Sequence, residues 1–385
     1  MAMRKPAEVF PPGEYLRDEL AERGWSQADF ADILDRPPRL VSEIISGKRS
    51  ISPETARGIS AAFGSTPEYW MNLQSRYDLW HTSNDAMAVA ERVERRAQLF
   101  KTGPIKEMMR RGWIEPSENL DVLEHRVNTF FRLDTLGQQP AFALAAAARK
   151  ATSYTEDHTT SQVAWLCRAR QIAPGVPCTS SYSPQGFATA IGRLEELRLS
   201  VQEVRHIPRV LGDAGIRLVV VEALPGTKID AACFWLDEKS PVLSLSLRYD
   251  RIDNLWWGLF HELGHIKHGH GKEEAVLDTD MVDGPKGARP KSEELADAFA
   301  SEHVIPQDAL ENFIARVYSV YSQEKIEGFA KTVGVHPGIV VGQLQSREEI
   351  SFATFRKLLV PIRDVMISAA LTDGWGHTVS LGKGN

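Results

Sequence analysis

Along the first eighty residues, apolar positions recur at helical spacing and are interrupted at short intervals by proline and glycine. Pro12-Gly13 opens a helix that carries Tyr15, Leu16 and Leu20 and stops at Gly24. Ser26, with Asp29 three positions on, forms an acidic version of the capping box, in which each side chain satisfies the other residue's free amide. The helix it starts carries Phe30, Ile33 and Leu34. Pro37-Pro38 ends that helix and can start a third, because the first turn leaves its amides unused. Val41, Ile44 and Ile45 mark the inner face of this third helix, and Gly47 its end. Two more helices follow, from Ser52-Pro53 to about Phe63-Gly64 and from Pro67 onward, the last with Trp70, Leu73, Tyr77 and Trp80 at helical spacing.

Between residues 85 and 205 the pattern stays helical and shows no chemical motif. It holds a basic stretch (Arg92, Arg95, Arg96, Lys101, Lys106, Arg110, Arg111) and the alanine-rich run Ala141–Ala148. A helical connector or dimerising bundle is the expectation, with an auxiliary phosphate contact as the alternative for the basic stretch. Strand patterns begin after residue 206, at Ile216–Val221, Ala232–Leu236 and the alternating Val242–Leu247. Helical segments return at Leu255–Lys267, at Ser292–His303 and from about residue 313. The pattern predicts an α+β chain, mainly α, in four parts: a helix-turn-helix bundle at 1–80, a helical connector or dimerisation region at 81–205, a domain with a small sheet at 206–312, and a helical C-terminal segment at 313–385.

Length and composition agree with several packed units, since 385 residues exceed one ordinary domain. A formal net charge of −6 excludes a generally basic nucleic-acid binder, but not a local cationic patch. Three scattered cysteines, Cys167, Cys178 and Cys233, are too few for a disulfide framework. With no apolar run long enough to span a bilayer, the expectation is a cytoplasmic protein without membrane partners.

Ser26–Leu34 followed by Pro38–Ile45 has the dimensions of a helix-turn-helix. Its second helix packs inward through Val41, Ile44 and Ile45. Arg39, Ser42, Glu43 and Ser46 point outward, so that Arg39 and Ser42 can reach base edges. Gln27, Lys48 and Arg49 flank the helix as phosphate contacts. Residues 1–80 hold ten Lys or Arg against twelve Asp or Glu, so the reading rests on placement and not on bulk charge. Pro12–Leu16, Ser26–Ala31, Ser42–Arg49, Pro53–Ala56 and Glu68–Gln74 resemble the HigA-type antidote regulators of plasmid-maintenance systems, which are Xre-class helix-turn-helix repressors. Asp35-Arg36-Pro37-Pro38 departs from that family at the turn, where glycine is commoner. The resemblance implies double-stranded operator DNA as a partner, bound by a homodimer.

His261-Glu262-Leu263-Gly264-His265 is an H-E-x-x-H motif within an apolar helical segment. Histidines at i and i+4 share a helix face, so both can bind one Zn²⁺, while Glu262 can accept a proton from the attacking water. A third ligand is available on the later helix, where Glu293, Asp297 and Ala300 share one face and small alanines permit close approach. Glu293 completes a His/His/Glu set with the fourth position open to water. Asp297, one turn on, is placed to hold a ligand histidine by its second nitrogen. Glu294 points about 100° away from that face.

Pro241–Tyr249, Asp253–Lys267 and Glu293–Pro306 resemble the ImmA/IrrE metallo-endopeptidases. That resemblance implies a zincin-like fold, peptide-bond hydrolysis, and Val242–Leu247 as the strand that receives an extended substrate. For the oxyanion donor, His303, His268, His270, Tyr318 and Tyr321 are candidates; the histidines just after the zinc helix also fit a hydrated surface loop. The segment between His270 and Pro290 reads as a lid or a loop. Ile326–Leu344 imitates a second helix-turn-helix; it is expected to pack around the catalytic core, with a second DNA contact as the alternative.

Two functions remain in view. One is a transcriptional regulator whose zinc endopeptidase domain hydrolyses a protein partner. The other is a non-catalytic antitoxin or repressor whose zincin-like domain holds a cognate toxin or senses metal.

Overall fold

A computed structural model describes residues 9–82, 84–135, 156–279 and 290–373. The alanine run 141–148 lies outside them. The chain divides into two compact units, Met1–Arg95 and Arg96–Asn385.

The first unit is a bundle of α1 (Pro12–Arg23), α2 (Gln27–Ile33), α3 (Pro38–Ile45), α4 (Pro53–Phe63) and α5 (Pro67–Trp80). Ser26 and Asp29 form the predicted capping box, with Ser26 Oγ accepting from the Asp29 amide at 3.1 Å and Asp29 Oδ2 from the Ser26 amide at 2.9 Å. Leu16, Phe30, Val41, Ile44, Ile59 and Trp70 make the core. Ile33, expected on the inner face of α2, is 48% exposed. It stands about 200° round the helix from the buried Ala31, and a seven-residue helix packs only one side. At the turn before α3, Asp35 takes φ +50°, a left-handed conformation that aspartate tolerates better than most residues. The turn therefore closes without glycine.

The second unit is organised on a five-stranded sheet: β1 (Arg217–Val220), β2 (Ile229–Trp235), β3 (Pro241–Leu245), β4 (Val276–Thr279) and β5 (Leu371–Thr372), in the order β4-β2-β3-β1-β5. β1 runs parallel to β3 and β5; β2 is antiparallel to β3 and β4. Because side chains alternate along a strand, the sheet has two apolar faces. Leu218, Val220, Ala231, Cys233, Leu243 and Leu245 face one core; Val219, Val221, Ala232, Phe234, Val242 and Leu277 face another.

The first of these cores is covered by α12 (Ile252–Lys267) and the helices around it: α13 (Lys291–Val304), α14 (Gln307–Val317), α15 (Gln323–Val333) and α16 (Pro337–Ser346), together with α10 (Pro184–Glu196), α11 (Ile207–Asp213) and α17 (Arg363–Ala369). The second is closed by residues of α6 (Asn84–Thr102), α7 (Ile105–Arg110), α8 (Leu120–Phe131) and α9 (Glu156–Ile172), among them Leu99, Met108, Phe131 and Trp165. Part of the stretch expected as a connector thus supplies one layer of the sheet's packing. Within it, Arg111 donates to the carbonyls of Glu222 and Ala223 at 2.7 and 2.9 Å and pairs with Glu107 at 2.7 Å. Its side chain is buried, so this cation braces the layer and is not available to a phosphate.

One expectation is corrected here. β3 is an interior strand with β2 and β1 on its two sides, so it has no free edge to receive a peptide. The α15–α16 pair packs beside α12, as expected of this segment: α16 buries residues all around its axis (Ile339, Val340, Val341, Gln343, Leu344), which leaves no face for the alternative of a second DNA contact. Among the described residues no helix is long and apolar enough to cross a membrane.

Candidate metal centre and DNA-facing helix

Helix α12 is apolar on nearly every side, so it sits in the middle of its layer and carries polar groups inward with it. His261, Glu262 and His265 are at most 2% exposed. Helix α13 lies against it at Gly264, where an added Cβ would stand 2.9 Å from Ala296 Cα. That close approach brings Glu293 to the two histidines, at 3.4 Å from His261 Nε2 and 3.8 Å from His265 Nε2. The two Nε2 atoms are 3.1 Å apart. Glu294, one residue along, is exposed.

The structure adds a fourth group. Asp278 of β4 places Oδ2 3.6 Å from His261 Nε2 and 3.8 Å from His265 Nε2. All four donor atoms lie within 4.8 Å of one another. Four donors held at roughly 2.0–2.1 Å around a tetrahedral ion stand about 3.3–3.4 Å apart, so these separations fit a zinc-sized ion with small adjustments. Two imidazoles and two carboxylates also suit such a cation chemically. The corner expected to be open is where Asp278 lies.

Behind the donors a second set of contacts orients the rings. Asp297 Oδ1 is 3.0 Å from His261 Nδ1, as the helical wheel suggested. His270 Nδ1 is 3.0 Å from His265 Nδ1. His270 is half-buried, its carbonyl accepting from Trp235 Nε1 at 2.9 Å, so the turn after α12 is packed at this residue while His268 remains on the surface. Burial opposes charge on His261, yet Asp297, Glu293 and Asp278 together raise its pKa to about 10; on His265 burial prevails and lowers it. Neighbouring carboxylates thus create a strongly cation-attracting pocket. Burial keeps the nearby Cys233 thiol protonated.

The oxyanion candidates separate. His303 pairs with Glu195 at 2.7 Å and packs on Phe299 and Phe260. Tyr321 donates to Glu349 at 2.7 Å, Tyr318 is 72% exposed, and His268 is exposed beside His270.

In the first unit, α3 buries Val41, Ile44 and Ile45 and leaves Arg39 and Ser42 exposed. Gln27, Lys48 and Arg49 are exposed as well. Glu43, not foreseen as a partner, accepts from Arg39 Nε at 2.6 Å and from Arg49 Nη1 at 3.3 Å. Those contacts, with Arg39 foremost, lower the Glu43 pKa.

Comparison with known proteins separates the same two regions. A helix-turn-helix family model matches residues 16–70, and a model of the IrrE N-terminal-like domain matches residues 213–344. An uncharacterised HTH-type transcriptional regulator of Haemophilus influenzae is 40% identical over 81 residues, 21% of this chain and 73% of the relative. Antitoxin HigA-1 of Vibrio cholerae is 35% identical over 82 residues, 21% of this chain and 74% of its own length. A solved HigA-family antidote protein of an addiction module from Coxiella burnetii is 35% identical, with 22% of this chain and 94% of that one covered and a TM-score of 0.21.

Proposed function

Since this chain belongs to the family of helix-turn-helix regulators that includes the HigA antitoxins, and carries an IrrE N-terminal-like domain, we propose that it is an operator-binding regulator whose second unit is a zinc-dependent endopeptidase acting on a protein partner. The observation that carries the enzymatic half is the buried Glu262 between two histidines whose Nε2 atoms, with Glu293, are spaced for one ion. Its DNA half rests on the exposed outer face of α3.

In this reading His261, His265 and Glu293 hold Zn²⁺. The ion supplies Lewis acidity, which brings the pKa of water toward neutrality and polarises a carbonyl. Glu262 accepts the proton of the attacking water and returns it to the leaving amine. Asp297 and His270 keep the two rings turned with Nε2 toward the ion. Operator DNA is bound by a homodimer, with Arg39 and Ser42 at base edges and Gln27, Lys48 and Arg49 at phosphates. The DNA-binding part is residues 1–80 and the peptidase part residues 206–312, with 81–205 joining them and 313–385 packing on the peptidase part, in a cytoplasmic protein.

A second reading has one specific observation behind it. Four protein donors, with Asp278 as the fourth, are what a closed structural or sensing site presents. The chain would then hold a toxin or sense metal without turnover. Glu262→Gln separates the two. New protein N-termini, labelled chemically in cells, are expected with the parent and not with the variant, while zinc content and operator binding stay equal. Identical N-terminal profiles would remove the hydrolytic function and leave the sensing one.

A further inference from the structure

We infer that Asp278 is a displaceable fourth ligand, delivered by strand β4, which competes with water for the metal and holds the peptidase in a low-activity state. This rests on the metal reading above and concerns its regulation.

The four donors are not equivalent in how they are held. His261 and His265 belong to the most buried helix of the unit, and Glu293 to a helix locked against it at Gly264 and Ala296. Asp278 comes from the sheet. β4 is four residues long, and among the described residues its ladder runs to β2 alone. Its pairing with β2 is irregular between Ile229 and Ala231, and Ala231 is the partner of Asp278. The ladder is thus weakest beside the residue that reaches the ion, because a bulge leaves local hydrogen bonding disrupted. Register decides the direction of the side chain: Leu277 lies opposite Ala232 and faces the second core, so Asp278, opposite Ala231, faces α12. An antiparallel edge strand with a carboxylate at the metal has the form of a bound peptide. An extended substrate and β4 would compete for the same donors on β2.

A structural fourth ligand predicts otherwise, since its removal strips the site, whereas removal of a latch leaves three ligands and an open corner. The test uses the full-length chain loaded with Co²⁺ in place of zinc, read by visible absorption, with acetohydroxamate as probe. Parent, Asp278→Ala and Asp278→Asn are compared after their melting curves show that each is folded. Asp278→Ala is expected to keep one Co²⁺ per chain, to change its spectrum as water replaces the carboxylate at the fourth position, and to bind acetohydroxamate about tenfold more tightly or better than the parent, because the closed fraction no longer competes. Asp278→Asn falls between them. Equal acetohydroxamate affinity in parent and Asp278→Ala overturns the latch while leaving the metal site standing. Loss of Co²⁺ from Asp278→Ala overturns it in favour of a structural ligand. Absence of stoichiometric Co²⁺ from the parent, matched by His261→Ala, removes the metal reading itself.

Discussion

Gly264 and Ala296 are so close that a single methyl on the glycine would stand 2.9 Å from the alanine Cα. The second residue from the end of the H-E-x-x-H motif is thereby the spacer between α12 and α13. Gly264→Ala forces the helices apart or strains them, and overpacking of this kind costs about 1–3 kcal/mol. Urea unfolding should show that loss. Zinc content should fall with it, since Glu293 rides on α13; unchanged metal content would mean that α13 can shift without carrying Glu293 away.

The ring-orienting pairs predict graded metal affinity. Asp297→Ala removes the partner of His261 Nδ1, and His270→Ala that of His265 Nδ1. Each should weaken zinc binding about 10–100-fold in competition with a chromophoric chelator. Neither removes a donor, so stoichiometry should recover at high zinc.

On the DNA side, Arg39→Ala should weaken binding to an operator selected from a random library by about 1–3 kcal/mol, if Arg39 contacts a base edge. An equal loss on random duplex would show that it touches only phosphate. Glu43 holds both Arg39 and Arg49 on this face. Glu43→Gln should leave stability nearly unchanged, as the loss of exposed pairs does, yet tighten binding to random DNA by removing a charge that repels phosphate.

Acid should loosen the layer built on Arg111. The Glu107 carboxylate is held at about 2, mainly by its hydrogen bond to Arg110 and, against the cost of burial, by Arg111. Its folded pKa lies below the ordinary 4.5, so this contribution is present above 4.5 and is lost as pH falls toward 2. Urea midpoints of the parent and Glu107→Gln should therefore differ above pH 4.5 and converge below it. A gap as wide at pH 2 as above pH 4.5 would exclude the carboxylate as its cause.

Periodicity and punctuation were enough for the first unit, because its helix starts are marked locally: Ser26, Ser52 and Thr66 each accept an amide three residues on, and α1 and α3 open on proline. They also sufficed for α12 and α13, whose positions follow from the motif and the small residues between them. What escaped was set by distance in sequence. Asp278 sits in a polar stretch where only Val276 and Leu277 hint at a strand, and nothing local says that its partner is Ala231. His270 lies in a loop whose burial depends on Trp235. The alternation Val-Leu-Ser-Leu-Ser-Leu suggested a strand with one wet side, yet Ser244 and Ser246 are fully buried, because helices from the preceding region close the other face.

That double covering bears on how the IrrE-like part can be isolated. The IrrE-like match begins at residue 213, but the apolar floor beneath its sheet is supplied by side chains as early as Leu99. A fragment cut to 213–344 would leave Val219, Val221, Phe234 and Val242 facing solvent as one sticky plate. Such a piece should bind hydrophobic dyes and precipitate, whereas one that begins near residue 96 should stay in solution.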